Sequence, residues 1–95
     1  MTIYGKAVVA RFAKRHPASR KPLARFLDIA SAALWSSLVD VKQSFPAVDY
    51  APKTLTLIFD IGGNKYRLIA LANFAEHELY IQNVLTHEQY NREDL

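Results

Sequence analysis

The chain has no cysteine, only three glycines and three histidines, and no acidic side chain among its first 25 residues. Without cysteine there is no disulfide framework, no thiolate nucleophile and no Cys-based zinc site, which fits a cytoplasmic setting. The glycines cannot form a phosphate loop, because Gly62-Gly63 separates two strand-like stretches, whereas such a loop must open a helix. His87-Glu88-Gln89-Tyr90-Asn91 begins like a zinc-protease helix but carries Asn91 where the second imidazole must stand, so no metal site is expected. No apolar run approaches the ~18 residues of a membrane span, and the N-terminus lacks a signal-peptide pattern. The expectation is a soluble, unprocessed chain with no membrane partner.

What is present is ordinary globular composition: 95 residues, 51% hydrophobic and 22% charged. That length predicts one domain spanning 1–95. A domain this small buries only about 60 to 65% of its unfolded surface, which leaves little room for a deep cofactor pocket, and none is expected. The net charge of +3 conceals an asymmetry. Lys6, Arg11, Lys14, Arg15, Arg20, Lys21 and Arg25 precede the first acid, while the remainder has five basic against nine acidic residues, a net −4. Such a basic lobe suits a polyanion, although an isolated charge run can equally be a solvated helix face.

The hydrophobic period divides the chain in two. Lys6 to His16 reads as a helix with Val8, Val9, Phe12 and Ala13 on one side, ended by His16-Pro17. Ser19 is placed to cap a second helix carrying Leu23, Phe26, Leu27, Ala30, Ala33 and Leu34 at helical spacing. Ser37 and Asp40 resemble an acidic capping box for a short third helix. From Thr54 the period becomes two, with strands predicted over 54–61, about 64–72 and 78–85, a hairpin at Gly62-Gly63, and an optional edge strand at Met1 to Tyr4. Helices first and strands later predict an α+β fold, with N-terminal helices packed on one face of a small antiparallel sheet.

The predicted register sets Asp60 opposite Lys65, Ile58 opposite Arg67 and Arg67 opposite Asn83. One face then holds Leu55, Leu57, Phe59, Ile61, Tyr66, Leu68, Ala70, Tyr80 and Val84, for the helices to cover. The other holds Thr56, Asp60, Lys65, Arg67 and Asn83, with His87 just beyond. A guanidinium that can fork onto two phosphate oxygens, an ammonium, an amide and an imidazole on one side of a sheet suit a phosphodiester. Imidazole is also the side chain best matched to proton transfer near neutral pH. The alternative is that Lys65 merely pairs with Asp60 across strands, worth roughly 0.2 to 1 kcal/mol, and Arg67 is surface.

His16-Pro17-Ala18, Leu23, Trp35, Asp40-Val41-Lys42-Gln43-Ser44-Phe45-Pro46, Gly63-Asn64-Lys65-Tyr66-Arg67-Leu68-Ile69 and Thr86-His87-Glu88-Gln89-Tyr90, in that order, resemble the HigB toxins of bacterial type II toxin-antitoxin systems. The resemblance implies a RelE-like fold and an endoribonuclease, an mRNA interferase, that cuts mRNA on translating ribosomes. It also implies a HigA-like helix-turn-helix antitoxin, through which alone the toxin reaches operator DNA. The family pattern falls on Asn64, Lys65 and Arg67 in the hairpin and on His87 and Tyr90 near the C-terminus. Similar toxins often carry a basic residue on the last strand where this chain has Gln82 or Asn83.

The chemistry expected of such a site is metal-free attack by the RNA's own 2′-hydroxyl on the adjacent phosphorus, which needs a base, charge stabilisation and an acid. Arg67 is expected to stabilise the phosphate charge, Lys65 to support it or move a proton, and His87 with Tyr90 to perform acid–base work or stack a base. Asn64, Asn83, Arg11, Lys14, Arg15, Lys21 and Arg25 are the expected RNA-binding residues. The competing reading is a non-catalytic nucleic-acid-binding module or an inactive toxin remnant. A third is a structural subunit of a protein complex.

Overall fold

The change of hydrophobic period is where helices give way to strands. A computed structural model describes residues 1–92. A short strand β1 (Thr2–Tyr4) leads into α1 (Lys6–Arg15), a 3₁₀ turn (Pro17–Ser19), α2 (Arg20–Ala32) and α3 (Leu38–Ser44). Then follow β2 (Asp49–Ala51), β3 (Thr56–Ile61), β4 (Tyr66–Asn73), β5 (Glu78–Thr86) and a last short helix, α4 (His87–Asn91).

The chain leaves β1 at Gly5, whose φ is +91° and where a Cβ would lie 2.3 Å from the Ile81 carbonyl oxygen. Only glycine meets both demands. Helix α1 ends before Pro17 as its sequence requires. Ser19 stands at the head of α2 but does not cap it: its φ and ψ of −83° and −12° are already helical, whereas an N-cap oxygen needs extended backbone to reach back. Its buried hydroxyl donates instead to the His16 carbonyl at 2.7 Å. Helix α2 also stops short of Ala33 and Leu34. Ala33 turns extended, the Met1 ammonium donates to the carbonyls of Ala30, Ser31 and Ala33, and Leu34 is left 73% exposed. That cation takes the place of the next helical turn at the negative end of the helix dipole. At α3 the Ser37 hydroxyl accepts the Asp40 N–H as predicted, but the Asp40 carboxylate takes the N–H of Ser36 rather than that of Ser37.

The five strands are ordered β1-β5-β4-β3-β2. All neighbours are antiparallel except β1 and β5. The wholly antiparallel sheet expected from sequence is therefore corrected at one edge, where the long helical connection supplies the crossover that a parallel pair needs. Strand β2 was not anticipated, since three residues are too few to show alternation.

The register differs from expectation by two residues in the first hairpin. Gly62 and Gly63, both at positive φ, begin a four-residue connection, so Ile61 faces Tyr66 and Asp60 faces Arg67. Lys65 lies in the turn, outside the ladder. In the second hairpin Arg67 faces Leu85 and Ile69 faces Asn83, again two residues from the expected pairing. The next pair is Ala70 with Ile81, which leaves Gln82 as a bulge. Past that bulge the faces invert: Leu79 and Ile81 enter the core, and Tyr80, expected beneath the helices, turns outward. Leu55 also leaves the predicted core face, sitting before β3 at φ +58° and largely exposed.

Under the helices, Val9, Phe12, Leu23, Phe26, Trp35 and Val41 pack with Leu57, Phe59, Ile61, Leu68, Ala70 and Val84. The opposite face is not purely polar, as the sequence suggested. Ala51, Ile58, Ile69 and Leu85 form a second, smaller cluster there, with Tyr90 of α4 against it. Central strands β3 and β4 are thus buried on both sides, which is why they read as almost continuous apolar runs.

Candidate active site

Four elements place the site. Strand β3 brings Asp60, the Gly62–Lys65 turn brings Asn64 and Lys65, β4 brings Arg67, and α4 brings His87 and Tyr90. The start of α4 is fixed by a capping box: the Thr86 hydroxyl accepts the Gln89 N–H at 3.1 Å and the Gln89 side chain accepts the Thr86 N–H at 2.9 Å. The Lys65 carbonyl accepts the His87 N–H at 2.9 Å, which ties the helix to the hairpin turn. Arg67 and His87 are thereby drawn together on the face that α1 and α2 do not cover.

Arg67 is only 8% exposed, so it is neither the surface residue of one expectation nor the open phosphate fork of the other. Its Nε donates to Asp60 Oδ1 at 3.1 Å. Its Nη1 donates to the carbonyls of Asn64 at 3.3 Å and Tyr66 at 3.1 Å. Its Nη2 donates to Asn64 Oδ1 and, at 3.2 Å, to His87 Nδ1. A guanidinium has five N–H donors, and all five have acceptors here. The Tyr90 ring lies 5.4 Å from the guanidinium carbon in a cation–π contact.

This network dictates a proton position. Arginine can only donate, so His87 Nδ1 must accept, and the neutral ring then carries its hydrogen on Nε2. Asn91 Nδ2 is placed 3.4 Å from that Nε2. Two donors cannot pair, so the Asn91 amide is assigned with its oxygen toward the ring. Asp60 pairs with Arg67 and not with Lys65, which overturns the expected cross-strand pair. Lys65 is exposed, with its ammonium free of any hydrogen-bond or ion-pair partner among the described residues.

The structure thus gathers Asn64, Arg67, His87 and Tyr90, with Lys65 joined through its main chain. It does not gather the basic helices there. Arg11 and Arg15 line a cleft of about 420 Å³ at the β5 edge with Asn83 and Leu85. Arg25 lines another, of about 340 Å³, with Asp60, Gly62 and Gly63. Lys14 and Lys21 are exposed and line neither. Asn83 is exposed beside the bulge, its Oδ1 accepting the Val84 N–H at 2.9 Å. Two partners escaped sequence reasoning. Asp60 was assigned the wrong cation, and Asn91 was read only as a missing metal ligand, although its i+4 spacing from His87 on a helix was the signal for contact. Among the described residues no three His, Cys, Asp or Glu side chains converge as a metal site, and no helix is long and apolar enough to cross a membrane.

Comparison with known proteins bears on the same residues. Residues 19–93 match the family model of HigB_toxin, described as a RelE-like toxic component of a toxin-antitoxin system. The chain is 24% identical over 93 residues to the mRNA interferase HigB of Escherichia coli O6:H1, an alignment covering 97% of this chain and 90% of the relative. It is 27% identical over 82 residues to the mRNA interferase toxin HigB of Escherichia coli (strain K12), covering 83% and 77%. The mRNA interferase HigB of Shigella flexneri gives the same values. The family match runs from the head of α2 through the hairpin and α4, so it takes in Arg67, His87 and every side chain that holds them, and the chain belongs to the HigB toxin family of RelE-like toxins.

Proposed function

We propose that this toxin is an endoribonuclease that cuts mRNA through attack of the 2′-hydroxyl on the neighbouring phosphorus, with the centre built on Arg67, His87, Lys65 and Tyr90. The observation that carries the reading is the Arg67–His87 contact at 3.2 Å. A buried cation holds an imidazole in one tautomer, with Nε2–H turned away from the guanidinium to the exposed side, beside the Asn91 amide. In the reaction the 2′-oxygen forms its bond to phosphorus while losing its proton to a water molecule, and the bond to the 5′-oxygen breaks as that atom takes a proton from solvent, giving a cyclic phosphate and a 5′-hydroxyl. His87 Nε2–H serves the oxygen on which charge develops. The exposed Lys65 ammonium supplies the mobile charge that Arg67, with every donor engaged, does not. The Tyr90 hydroxyl has no hydrogen-bond partner among the described residues and is solvent-accessible, so it is placed for proton transfer while its ring stacks on Arg67.

The toxin acts in the cytoplasm on mRNA at the translating ribosome, and a HigA-like helix-turn-helix antitoxin restrains it and provides the only link to operator DNA. The family's description supports an antitoxin partner and the relatives' names an mRNA target; the ribosome, the HigA-like identity of the antitoxin and the cytoplasmic setting are what the resemblance implies. The test is incubation of purified protein with a defined RNA and with its all-DNA counterpart, each with and without ribosomes, alongside induction of the gene with and without its neighbour. Cyclic-phosphate ends on RNA alone, and growth arrest relieved by the neighbour, are expected. Intact RNA under both conditions would overturn the nuclease. That outcome would favour the second reading, a binding-only remnant, for which the saturated donors of Arg67 and the uncharged Gln82-Asn83 speak.

A further inference from the structure

The described part of β1 pairs only with Glu78–Tyr80, so the stretch of β5 from Asn83 to Leu85 has no strand on its outer side. The cleft of about 420 Å³ runs along it, between β5 and α1, with Arg11, Arg15 and His16 on the helical wall. His16 stacks on Phe12, centroids 4.3 Å apart and planes 25° from parallel, and tilts against Tyr66 at 6.2 Å. The ring is thus held by packing. Neither of its nitrogens has a hydrogen-bond partner among the described residues, and neither is fully buried, so water reaches both.

We propose that this cleft is a nucleobase pocket, in which His16, supported by Phe12, reads a base edge while Arg11 and Arg15 hold the adjoining phosphates. A cleft of this size lies within the roughly 300 to 1,000 Å³ of small-molecule sites. An imidazole offers one donor and one acceptor, which matches the edge of an unpaired base, and aromatic side chains are the usual platform for single-stranded RNA. Both guanidinium groups belong to the first 25 residues, which carry seven basic side chains and no acidic one. A carboxylate-rich peptide would use those two cations and the imidazole N–H but leave the ring's acceptor nitrogen without a donor, whereas a base edge supplies both, so RNA is the better fit. The cleft shares β5 and α4 with the catalytic centre: Leu85 is the cross-strand neighbour of Arg67, and Gln89 lies two residues after His87. The inference rests on the reading of the protein as an RNA-cutting toxin and adds where a neighbouring base is recognised.

The test uses the unmodified protein first. Its His16 ring resonances are followed by NMR during titration with a 2′-deoxy oligonucleotide, which cannot be cut, and with the four nucleoside monophosphates. Saturable shifts of His16 are expected. His16→Ala should weaken oligonucleotide binding about tenfold, whereas His16→Phe, which keeps the stacking, should retain affinity and lose discrimination among the four bases. Arg11→Gln with Arg15→Gln should flatten the salt dependence by on the order of 0.7 per lost phosphate contact. Resonances that stay still while the oligonucleotide binds elsewhere would overturn the pocket, as would shifts caused by the antitoxin and not by nucleic acid. A protein that cuts RNA without engaging His16 removes the pocket and keeps the nuclease. A protein that engages His16 but cuts nothing does the reverse.

Discussion

Arg67 Nη2 lies 3.2 Å from His87 Nδ1, and because a guanidinium cannot accept a hydrogen bond, this one contact decides which imidazole nitrogen bears the proton. The pair joins the start of β4 to the first residue of α4. A disturbance of either element therefore reaches the reacting side chain.

His87 is exposed and holds up no core. His87→Ala should lower RNA cleavage by about 10²- to 10⁴-fold while unfolding free energy stays within about 0.5 kcal/mol of wild type. Denaturant melts beside single-turnover assays separate the two. A melt that falls as far as the activity would mean that the imidazole is structural.

Arg67 behaves differently, since its removal strands the Asp60 carboxylate and four other acceptors. Arg67→Ala should cost about 3 kcal/mol of stability as well as activity. Arg67→Lys, which cannot reproduce the fork, should recover only part of either. Asp60→Asn keeps an acceptor for Nε and should be the mildest of the three by thermal denaturation. Equal melting of all three variants and wild type would contradict the buried network.

The β1–α1 junction has no room for a side chain. Gly5→Ala combines a φ of +91° with a Cβ 2.3 Å from the Ile81 oxygen, and should lose about 2 kcal/mol or more. Gly63→Ala, at φ +72° but in open space, should lose about 1 kcal/mol. Urea midpoints rank the two; the reverse order would show that strain at Gly5 is relieved by movement of β5.

Tyr4 and Tyr80 stack at 4.8 Å and both donate to the Glu78 carboxylate. That hydrogen bond, more than burial, raises both pKa values above the ordinary 10.0. The neutral phenols are favoured in the fold, so their contribution to stability is complete below pH 10 and disappears as pH rises through the raised values. Ultraviolet titration should show Tyr4 and Tyr80 ionising late, and Glu78→Gln should return them toward the ordinary value. A titration unchanged by that substitution would disprove the link.

Local chemistry settled a large part of this molecule. Pro17 stops α1, Ser37 caps α3, and the change of period at Thr54 separates helices from sheet, because each depends on residues within one or two turns of chain. Sequence also placed Arg67 and His87 on a common side, although both hairpins pair two residues away from the expected register. A two-residue slip preserves the face of every side chain, whereas one residue inverts it. The bulge at Gln82 is such a single step, and nothing in the alternation announced that it would turn Tyr80 outward and seat Leu79 and Ile81 in the core. What only the folded chain decided is the environment of each charge. Asp60, Asn64 and the α4 pair His87 and Tyr90 come from three separate segments, and their convergence makes Arg67 a buried hub instead of an open fork, because burial and donor saturation depend on neighbours distant in sequence.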